Sequence, residues 1–191
     1  MQVEEKVVYF SEPGEANTDA TLRLAREYAD RHGIRHVVVA STTGKTGLKA
    51  AEAFKGLNLV VVTHSTGFVK PNFQEMPEDV RREIEAKGAK VLTCTHALAG
   101  VERAFRREFG LWLPVELIAI VLRRVFCEGV KVAIEITMMA VDAGLIPEGE
   151  DVVAVAGTGR GADTALHIKS ASTSNFLKLK VRRVICKPDT F

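Results

Sequence analysis

The most informative segment of the chain is His36-Val-Val-Val-Ala-Ser-Thr-Thr-Gly-Lys-Thr-Gly47, in which an apolar run leads directly into a polar loop. The run His36–Ala40 is short, β-branched and uninterrupted, which is typical of a strand buried on both faces. The loop Ser41–Gly47 combines hydroxyls, glycines and a lysine, and Leu48–Phe54 then follows with helical spacing. A strand, a loop and a helix in this order form the repeating unit of a parallel α/β sheet.

The same alternation extends in both directions from this segment. Further strands are predicted at Val7–Phe10, Asn58–Thr63, Lys90–Cys94, Asp151–Ala156, Ala165–Lys169 and Lys178–Ile185. Helices are predicted from an N-cap at Thr18 to Gly33, from Pro77 to Gly88, and over most of His96–Gly144. Within that last stretch, Val130–Val141 is so β-branched that a strand remains an alternative, but its length favours a helix. We therefore predict one domain, residues 1–191, with a doubly wound, mostly parallel sheet.

The composition excludes several kinds of partner. The formal net charge is only +2, and lysines and arginines are interspersed with glutamates, so no basic surface for nucleic acid or a membrane is expected. The three cysteines form no Cys-x-x-Cys spacing and no apolar stretch reaches membrane length, which predicts a cytoplasmic protein with reduced thiols. Cys94 and His96 alternate along a strand end without a second Cys/His pair, so no metal site is predicted.

The loops that leave the predicted strands share a composition suited to an anion. They are Ser11–Asn17, Ser41–Gly47, Thr63–Gly67, Thr93–His96 and Gly157–Asp163. Parallel strands bring such loops to one edge of the sheet, where ligands bind at the point of strand-order reversal. Glycines let backbone N–H groups approach a phosphate, hydroxyls donate further hydrogen bonds, and helix N-termini add their dipoles. We expect Lys45 and Arg160 to balance the charge of one bound phosphate.

Two segments resemble nucleotide-binding motifs but do not match them. Gly44-Lys45-Thr46 resembles the end of a P-loop, but Val39 stands where that motif needs its first glycine. Gly157-Thr-Gly-Arg-Gly161 resembles a dinucleotide fingerprint, but its third glycine comes one residue early and a strand-like segment follows. An ATPase, a GTPase or a Rossmann dinucleotide site is therefore not expected. Because glycine and threonine also populate ordinary turns, the prediction depends on the two loops that add a cation.

Three segments resemble the C-terminal domain of pyruvate kinase. Val37–Gly47, followed by Leu59–Thr63, is similar to the strand and Ser/Thr-Gly-x-Ser/Thr loop that hold a sugar-bisphosphate effector in some members. Glu150–Gly161 is similar to that domain's Gly-Asp strand and glycine-rich loop, which an antiparallel strand follows. The resemblance implies a three-layer α/β/α fold with an antiparallel edge. It also implies that the strands ending at Ala40 and Ala156 are neighbours.

The chain departs from pyruvate kinase by lacking a catalytic barrel. It also adds an N-terminal strand and helix through His32, and a helical insert from about His96 to Gly144. In these respects it is similar to a small family of stand-alone archaeal proteins with the same fold. That resemblance implies flavin mononucleotide (FMN) as the ligand, with no established reaction. The sugar-bisphosphate precedent itself implies only the Thr42–Thr46 and Gly157–Gly161 loops as ligand contacts.

The predicted ligand site has a phosphate end and a ring end. Its residues are Ser41, Thr42, Thr43, Gly44, Lys45, Thr46, His64, Thr66, Gly67, Thr95, His96, Gly157, Thr158, Gly159, Arg160 and Gly161. A flavin ring would lie near His64, Thr66, Thr95 and His96. His96 or His64 could also act as a general acid or base, although His96 could equally cap a helix.

Three classes of function remain open. The first is a flavin-binding protein, with or without the activity of a flavin-dependent oxidoreductase. The second is a regulatory or storage module for a phosphorylated sugar metabolite, and the third is an enzyme acting on phosphosugars. In the helical insert, Glu135 is predicted to pair with Lys131 on a solvated face. The alternative is that either Glu135 or Asp142 is a buried carboxylate with a role in the site. Met138-Met139 and Leu117–Val125 are predicted to be core or a contact between copies in a homo-oligomer.

Overall fold

The structure, a computed structural model, describes residues 2–191. The strands are β1 (Val8–Phe10), β2 (His36–Ala40), β3 (Asn58–Val62), β4 (Lys90–Leu92), β5 (Asp151–Ala156), β6 (Thr164–Lys169) and β7 (Lys180–Pro188). The helices are α1 (Thr18–His32), α2 (Lys45–Ala53), α3 (Glu78–Ala86), α4 (Glu102–Phe109), α5 (Pro114–Val125) and α6 (Glu128–Asp142). Short 3-10 turns cover Glu15–Asn17 and Thr173–Lys178.

The strands form one mixed sheet in the order β1-β7-β6-β5-β2-β3-β4. Strand β6 runs antiparallel to both of its neighbours, β5 and β7, and every other adjacent pair is parallel. The order reverses between β2 and β5, which are hydrogen-bonded neighbours as the resemblance implied. The carboxyl ends of these two strands, at Ala40 and Ala156, therefore lie side by side and open the crevice in which ligands bind in such sheets.

Helices cover both faces of the sheet, which confirms the predicted three-layer α/β/α class. Successive side chains of a strand point to opposite faces, so Val37 and Val39 enter the core beneath α1, α2 and α3. Val38 enters the second core, beneath α5 and α6. This two-sided burial explains why β2 is apolar at consecutive positions. None of the helices within residues 2–191 is both long and apolar enough to cross a membrane.

Two helices begin at other residues than the sequence predicted. Helix α2 starts at Lys45, so Lys45, Thr46 and Gly47 form its first turn instead of belonging to the preceding loop. Thr18 is the first residue of α1 and not its N-cap, because the turn Glu15–Asn17 runs directly into the helix. The Thr18 hydroxyl instead donates to the Glu15 carbonyl at 2.7 Å.

The segment that could have been a strand or a helix is helix α6, as preferred from its length. It is buried on nearly all sides, because β-strands lie beneath it and α5 packs against it. Its close approach to the sheet requires Gly129, where a Cβ atom would lie 2.2 Å from the Thr164 hydroxyl oxygen. Met138 and Met139 belong to the core, whereas Leu117 on α5 is exposed. A contact between copies through α5 therefore stays a prediction.

Candidate functional site

A cavity of about 520 Å³ opens at the carboxyl edge of the sheet, at the β2–β5 reversal point. Its walls come from both layers of helices as well as from the strand ends. The predicted site residues that line it are Ser41, Thr42, Thr43, Lys45, Thr46, His64, His96, Gly157, Thr158, Gly159, Arg160 and Gly161. The size lies within the range of small-molecule sites, about 300–1,000 Å³. The two cation-bearing loops thus face one shared space.

The loop after β2 is held in place by its own polar groups. Gly44 has a φ of 92°, in the left-handed region that favours glycine. A Cβ atom there would lie 2.2 Å from Val80 Cγ1 of α3, so this glycine serves the packing of two helices. The hydroxyl oxygen of Ser41 accepts a hydrogen bond from the Gly47 N–H at 2.9 Å, so this hydroxyl is engaged within the loop. Thr42 and Thr43 supply the other two hydroxyls of the loop.

The loop after β5 is tied to the N-terminal part of the chain by the buried carboxylate of Asp163. That carboxylate accepts hydrogen bonds from the N–H groups of Gly14 at 2.9 Å and Thr158 at 3.0 Å. Gly161 packs so closely that a Cβ atom would lie 2.4 Å from Thr18 Oγ1, whereas Gly159 faces open space. The buried hydroxyl oxygen of Thr158 has no partner within residues 2–191. Gly159 and Arg160 of this fixed loop therefore line the cavity, and the Thr158 hydroxyl is buried behind them.

Lys45 is not free at this rim, because it forms an ion pair with Glu15. The Lys45 ammonium lies 2.7 Å from a Glu15 carboxylate oxygen, and both side chains are largely exposed. The hydrogen bond from Lys45 lowers the pKa of the Glu15 carboxyl, and the charges of Arg160 and Lys49 lower it further. An anionic ligand in the cavity would therefore compete with the Glu15 carboxylate for Lys45 and Arg160.

His64 sits between a carboxylate and a hydroxyl. Its Nδ1 lies 2.7 Å from Glu75 Oε2, and its Nε2 lies 3.4 Å from the hydroxyl oxygen of Thr42. Since an ionised carboxylate only accepts hydrogen bonds, Nδ1 carries the proton, and Nε2 of the neutral ring accepts from the Thr42 hydroxyl. All three side chains line the cavity.

His96 has a different environment from His64, although their ring centroids are 5.4 Å apart. Its Nε2 accepts a hydrogen bond from the backbone N–H of Ser65 at 3.3 Å. Burial lowers the pKa of His96 to about 4, against the opposing charge of Glu135. The interpretation of His96 as a helix cap was wrong, because it lies in a turn and α4 begins only at Glu102.

Lys131 and Glu135 form an ion pair in the wall supplied by α6. The pairing was predicted, but the solvated face was wrong, because the two side chains are only 2% and 4% exposed. Glu135 also accepts a hydrogen bond from the Leu98 N–H at 2.9 Å, which fixes the carboxylate. Burial lowers the pKa of the Lys131 ammonium group, and Glu135 opposes that shift. The inner cavity therefore holds a fixed cation.

The helical insert and the loop after β3 complete the enclosure. The Arg103 guanidinium lies 5.1 Å from the centroid of the Phe68 ring. The His96 ring stacks on the same Phe68 ring, with the two centroids 5.1 Å apart. The buried Nε of Arg103 has no hydrogen-bond partner within residues 2–191, and a Glu116 carboxylate oxygen lies 3.8 Å from it. Arg123 lines the same wall but is paired with Glu128 at 2.8 Å.

Four predicted site residues lie outside the cavity. Gly44 is buried against α3, while Thr66, Gly67 and Thr95 are exposed and are not among the residues that line the cavity. Gly67 serves its own loop, since its N–H donates to the Phe73 carbonyl at 2.9 Å. The lining residues that the sequence did not predict include Glu15, Phe68, Glu75, Arg103 and Arg123. No spacing motif connects these to the loops, and only the folded chain brings them together.

Comparison with known proteins agrees with this architecture. A family model described as pyruvate kinase, alpha/beta domain, matches residues 19–169. One similar solved structure is a pyruvate kinase from Cryptosporidium parvum, with 15% identity and a TM-score of 0.45 over 83% of this chain and 23% of that chain. Another is Cryptosporidium parvum pyruvate kinase in complex with ADP, with 16% identity and a TM-score of 0.41 over 81% of this chain and 23% of that one.

This chain therefore spans about a quarter of the length of those enzymes. The family model, in contrast, covers most of this chain, from the start of α1 to the end of β6. On that match, the chain belongs to the pyruvate kinase alpha/beta domain family.

Proposed function

We propose that this protein binds a phosphate-bearing small molecule in the cavity at the β2–β5 reversal point. The observation that carries the proposal is that Lys45, in the first turn of α2, and Arg160, in the loop after β5, both line one cavity. Thr42 and Thr43 add hydroxyls, and the first turn of α2 adds backbone N–H groups and its dipole. These are the groups that recognise phosphate in α/β proteins.

The Glu15 carboxylate affects the affinity with which an anion can bind at Lys45. A phosphate that takes the Lys45 ammonium group must compete with the Glu15 carboxylate, 2.7 Å from that group. The Lys45–Glu15 pair is exposed, so little energy is lost when the lysine changes partner. The pair therefore keeps the lysine near the phosphate position without preventing its use.

A phosphorylated sugar metabolite is the ligand class that membership of the pyruvate kinase family favours. The proposed role is effector or regulatory binding, as the sequence resemblance implies for these two loops. The inner cavity supports a polar ligand, because Lys131, Arg103 and His96 provide donors beyond the phosphate end. A hydroxyl- or carbonyl-rich ligand would satisfy them.

FMN is the second candidate, and the apolar part of the lining favours it. Val62, Val132, Ile136 and Met139 supply aliphatic surface, and Phe68 supplies an aromatic ring. Such a wall fits a flat ring system better than it fits a sugar. The Thr42–Thr46 loop and Arg160 would hold the FMN phosphate, and Lys131 or His96 would face the ring. Bound FMN would supply two-electron redox chemistry.

The test is calorimetric titration with fructose 1,6-bisphosphate and with FMN, together with non-denaturing mass spectrometry of the purified protein. We expect one of the two ligands to bind, and the double variant Lys45→Ala/Arg160→Ala to lose at least about tenfold in affinity. The matched control is Lys49→Ala, since Lys49 also lies on α2 and pairs with a carboxylate, Asp19, but is outside the cavity. Absence of binding by both ligands, with nothing co-purifying, would refute the proposal.

A further inference from the structure

We propose that the cavity is a reaction site in which His64, oriented by Glu75, removes a proton from the carbon next to a carbonyl group. The substrate class is a phosphorylated hydroxy-aldehyde or hydroxy-ketone, and the reaction is its isomerisation. This inference rests on the proposed function, because the phosphate loops must hold the substrate.

The first observation is the chain of contacts from Glu75 through His64 to Thr42. The carboxylate accepts the Nδ1 proton at 2.7 Å, so the lone pair of Nε2 is directed at the Thr42 hydroxyl 3.4 Å away. The Thr42 hydroxyl can rotate away from Nε2 when a substrate enters, whereas a backbone N–H donor cannot. The carboxylate and the imidazole then form a general base with a fixed tautomer. Thr42 belongs to the phosphate loop, so the base lies next to the proposed phosphate position.

The segment that carries Glu75 is itself fixed. The side-chain amide of Gln74 donates to the His64 carbonyl at 3.1 Å, and its oxygen accepts the Met76 N–H at 3.1 Å. Met76 is buried in the core beneath α2 and α3. These contacts of the neighbouring residues hold the Glu75 carboxylate beside the His64 imidazole.

The second observation separates the roles of the two histidines. Nε2 of His96 is already used by the Ser65 N–H at 3.3 Å, so the neutral ring can offer only an Nδ1–H donor. Burial, which lowers the pKa of His96 to about 4, keeps that ring neutral at pH 7. His64 is thus the base, and His96 is a neutral donor that can pass a proton between two oxygens.

The third observation is an electrophile in the inner wall. The Lys131 ammonium group has three N–H donors, and within residues 2–191 the side-chain acceptor found for it is Glu135. The remaining donors suit a carbonyl oxygen that gains negative charge, and the dry surroundings strengthen that interaction. Glu135 holds the ammonium group in place through its bond to the Leu98 N–H.

The reaction balances without any oxidant or metal. His64 Nε2 takes the proton from the hydroxyl-bearing carbon, the C–H electron pair forms a C=C bond, and the carbonyl π electrons move onto oxygen. The resulting enediolate lies against the Lys131 ammonium group. The hydroxyl proton passes to that oxygen through His96, and protonated His64 returns its proton to the former carbonyl carbon. The product is the isomeric ketose or aldose phosphate, and the free base is restored.

The experiment measures solvent exchange, because proton abstraction exchanges the abstracted hydrogen with solvent even when little product accumulates. The full-length protein is incubated in D2O with dihydroxyacetone phosphate, ribose 5-phosphate or glucose 6-phosphate, and deuterium at the carbon next to the carbonyl is followed by proton NMR. We expect exchange with at least one probe, reduced about 100-fold or more in His64→Gln. Calorimetry on the same samples gives the affinity of each probe.

The outcomes separate this inference from the proposed function. Binding without exchange above the protein-free rate would overturn the inference and leave the binding function standing. Exchange that survives in His64→Gln would overturn the assignment of the base. If none of the three probes binds, the inference is wrong for its substrate class, and the FMN titration then decides the binding function independently.

Glu75 is a positioning residue and needs a readout that a merely structural role would not change. We expect Glu75→Gln to lower kcat about tenfold or more with an unchanged KM, and Glu75→Asp to restore part of the loss. The nitrogen-15 NMR signal of His64 should lose its fixed Nδ1–H form in Glu75→Gln. The control is His32→Gln, since His32 lies at the far end of α1, pairs with Glu5 and is outside the cavity.

Discussion

Two lysine–glutamate pairs lie in different walls of the same cavity, and their surroundings differ completely. At the rim, Lys45 in the first turn of α2 pairs with Glu15 in the 3-10 turn before α1, and the side chains are 75% and 47% exposed. Lys131 and Glu135 sit one turn apart on α6 and are almost fully buried. Water screens the first pair and leaves it weak, whereas the second has lost its hydration and depends on its partner.

This difference in exposure gives the two lysines different roles. The exposed lysine can exchange its carboxylate for a ligand's phosphate, because neither state requires a large desolvation. The buried lysine cannot change partners, and the fold holds it as a fixed positive point in an otherwise apolar layer. We therefore expect changes to the Lys45–Glu15 pair to affect ligand affinity alone, and changes to the Lys131–Glu135 pair to affect the stability of the fold as well.

The largest effect should come from breaking the buried pair. We expect Glu135→Ala to lower the free energy of unfolding by about 3–5 kcal/mol, because it leaves the Lys131 charge buried without a partner. Urea unfolding followed by circular dichroism measures this. The double variant Lys131→Met/Glu135→Leu should recover most of the loss, and Glu15→Ala should leave the unfolding midpoint unchanged. A loss in Glu135→Ala no greater than in Glu15→Ala would remove the distinction between the walls.

A smaller effect on the free energy of unfolding should come from substituting the glycines of the loop after β5. Gly159 and Gly161 have similar positive φ angles, 68° and 73°, so alanine costs both about 1–2 kcal/mol of backbone strain. Only at Gly161 would the new Cβ atom meet neighbours, Thr18 Oγ1 at 2.4 Å and Glu15 Cα at 2.5 Å. Gly161→Ala should therefore be less stable than Gly159→Ala by about 1–3 kcal/mol in the same urea assay. Equal stabilities would mean that the loop moves freely.

The two cations at the rim could be predicted from the sequence, whereas Glu15 and the inner wall could not. Lys45 and Arg160 follow strands whose carboxyl ends share an edge, so their convergence follows from parallel topology alone. Glu135 was assigned to a solvated face because charged pairs one turn apart are usually exposed. The apolar residues on every side of it, Ile134 and Ile136 among them, were the signal for burial. Glu75 follows no motif at all, since only the folding of the β3–α3 loop brings it to His64.

Acid should weaken the inner wall before the carboxylates of the rim titrate. The unfolded chain binds a proton at a histidine near pH 6.5, whereas folded His96 binds it only near its pKa of about 4. Between these values the unfolded state holds more protons, so the free energy of unfolding falls as the pH falls. The pKa of His167 is also lowered by burial and contributes in the same direction. Urea unfolding from pH 7 to pH 4 should therefore show a steeper loss in the wild type than in His96→Gln, and parallel curves would contradict it.

The smallest effect should appear at the rim, and only in ligand affinity. Glu15→Gln removes the carboxylate that competes for Lys45, so fructose 1,6-bisphosphate or FMN, whichever binds, should bind a few-fold more tightly. Glu12→Gln makes the same change of charge in the same loop but outside the cavity lining, and should leave the affinity unchanged. The gain should shrink at high salt, because the competing contact is exposed. Equal effects of the two variants would mean that net charge, and not the Lys45 contact, sets the affinity, and the rim would then lose its separate role.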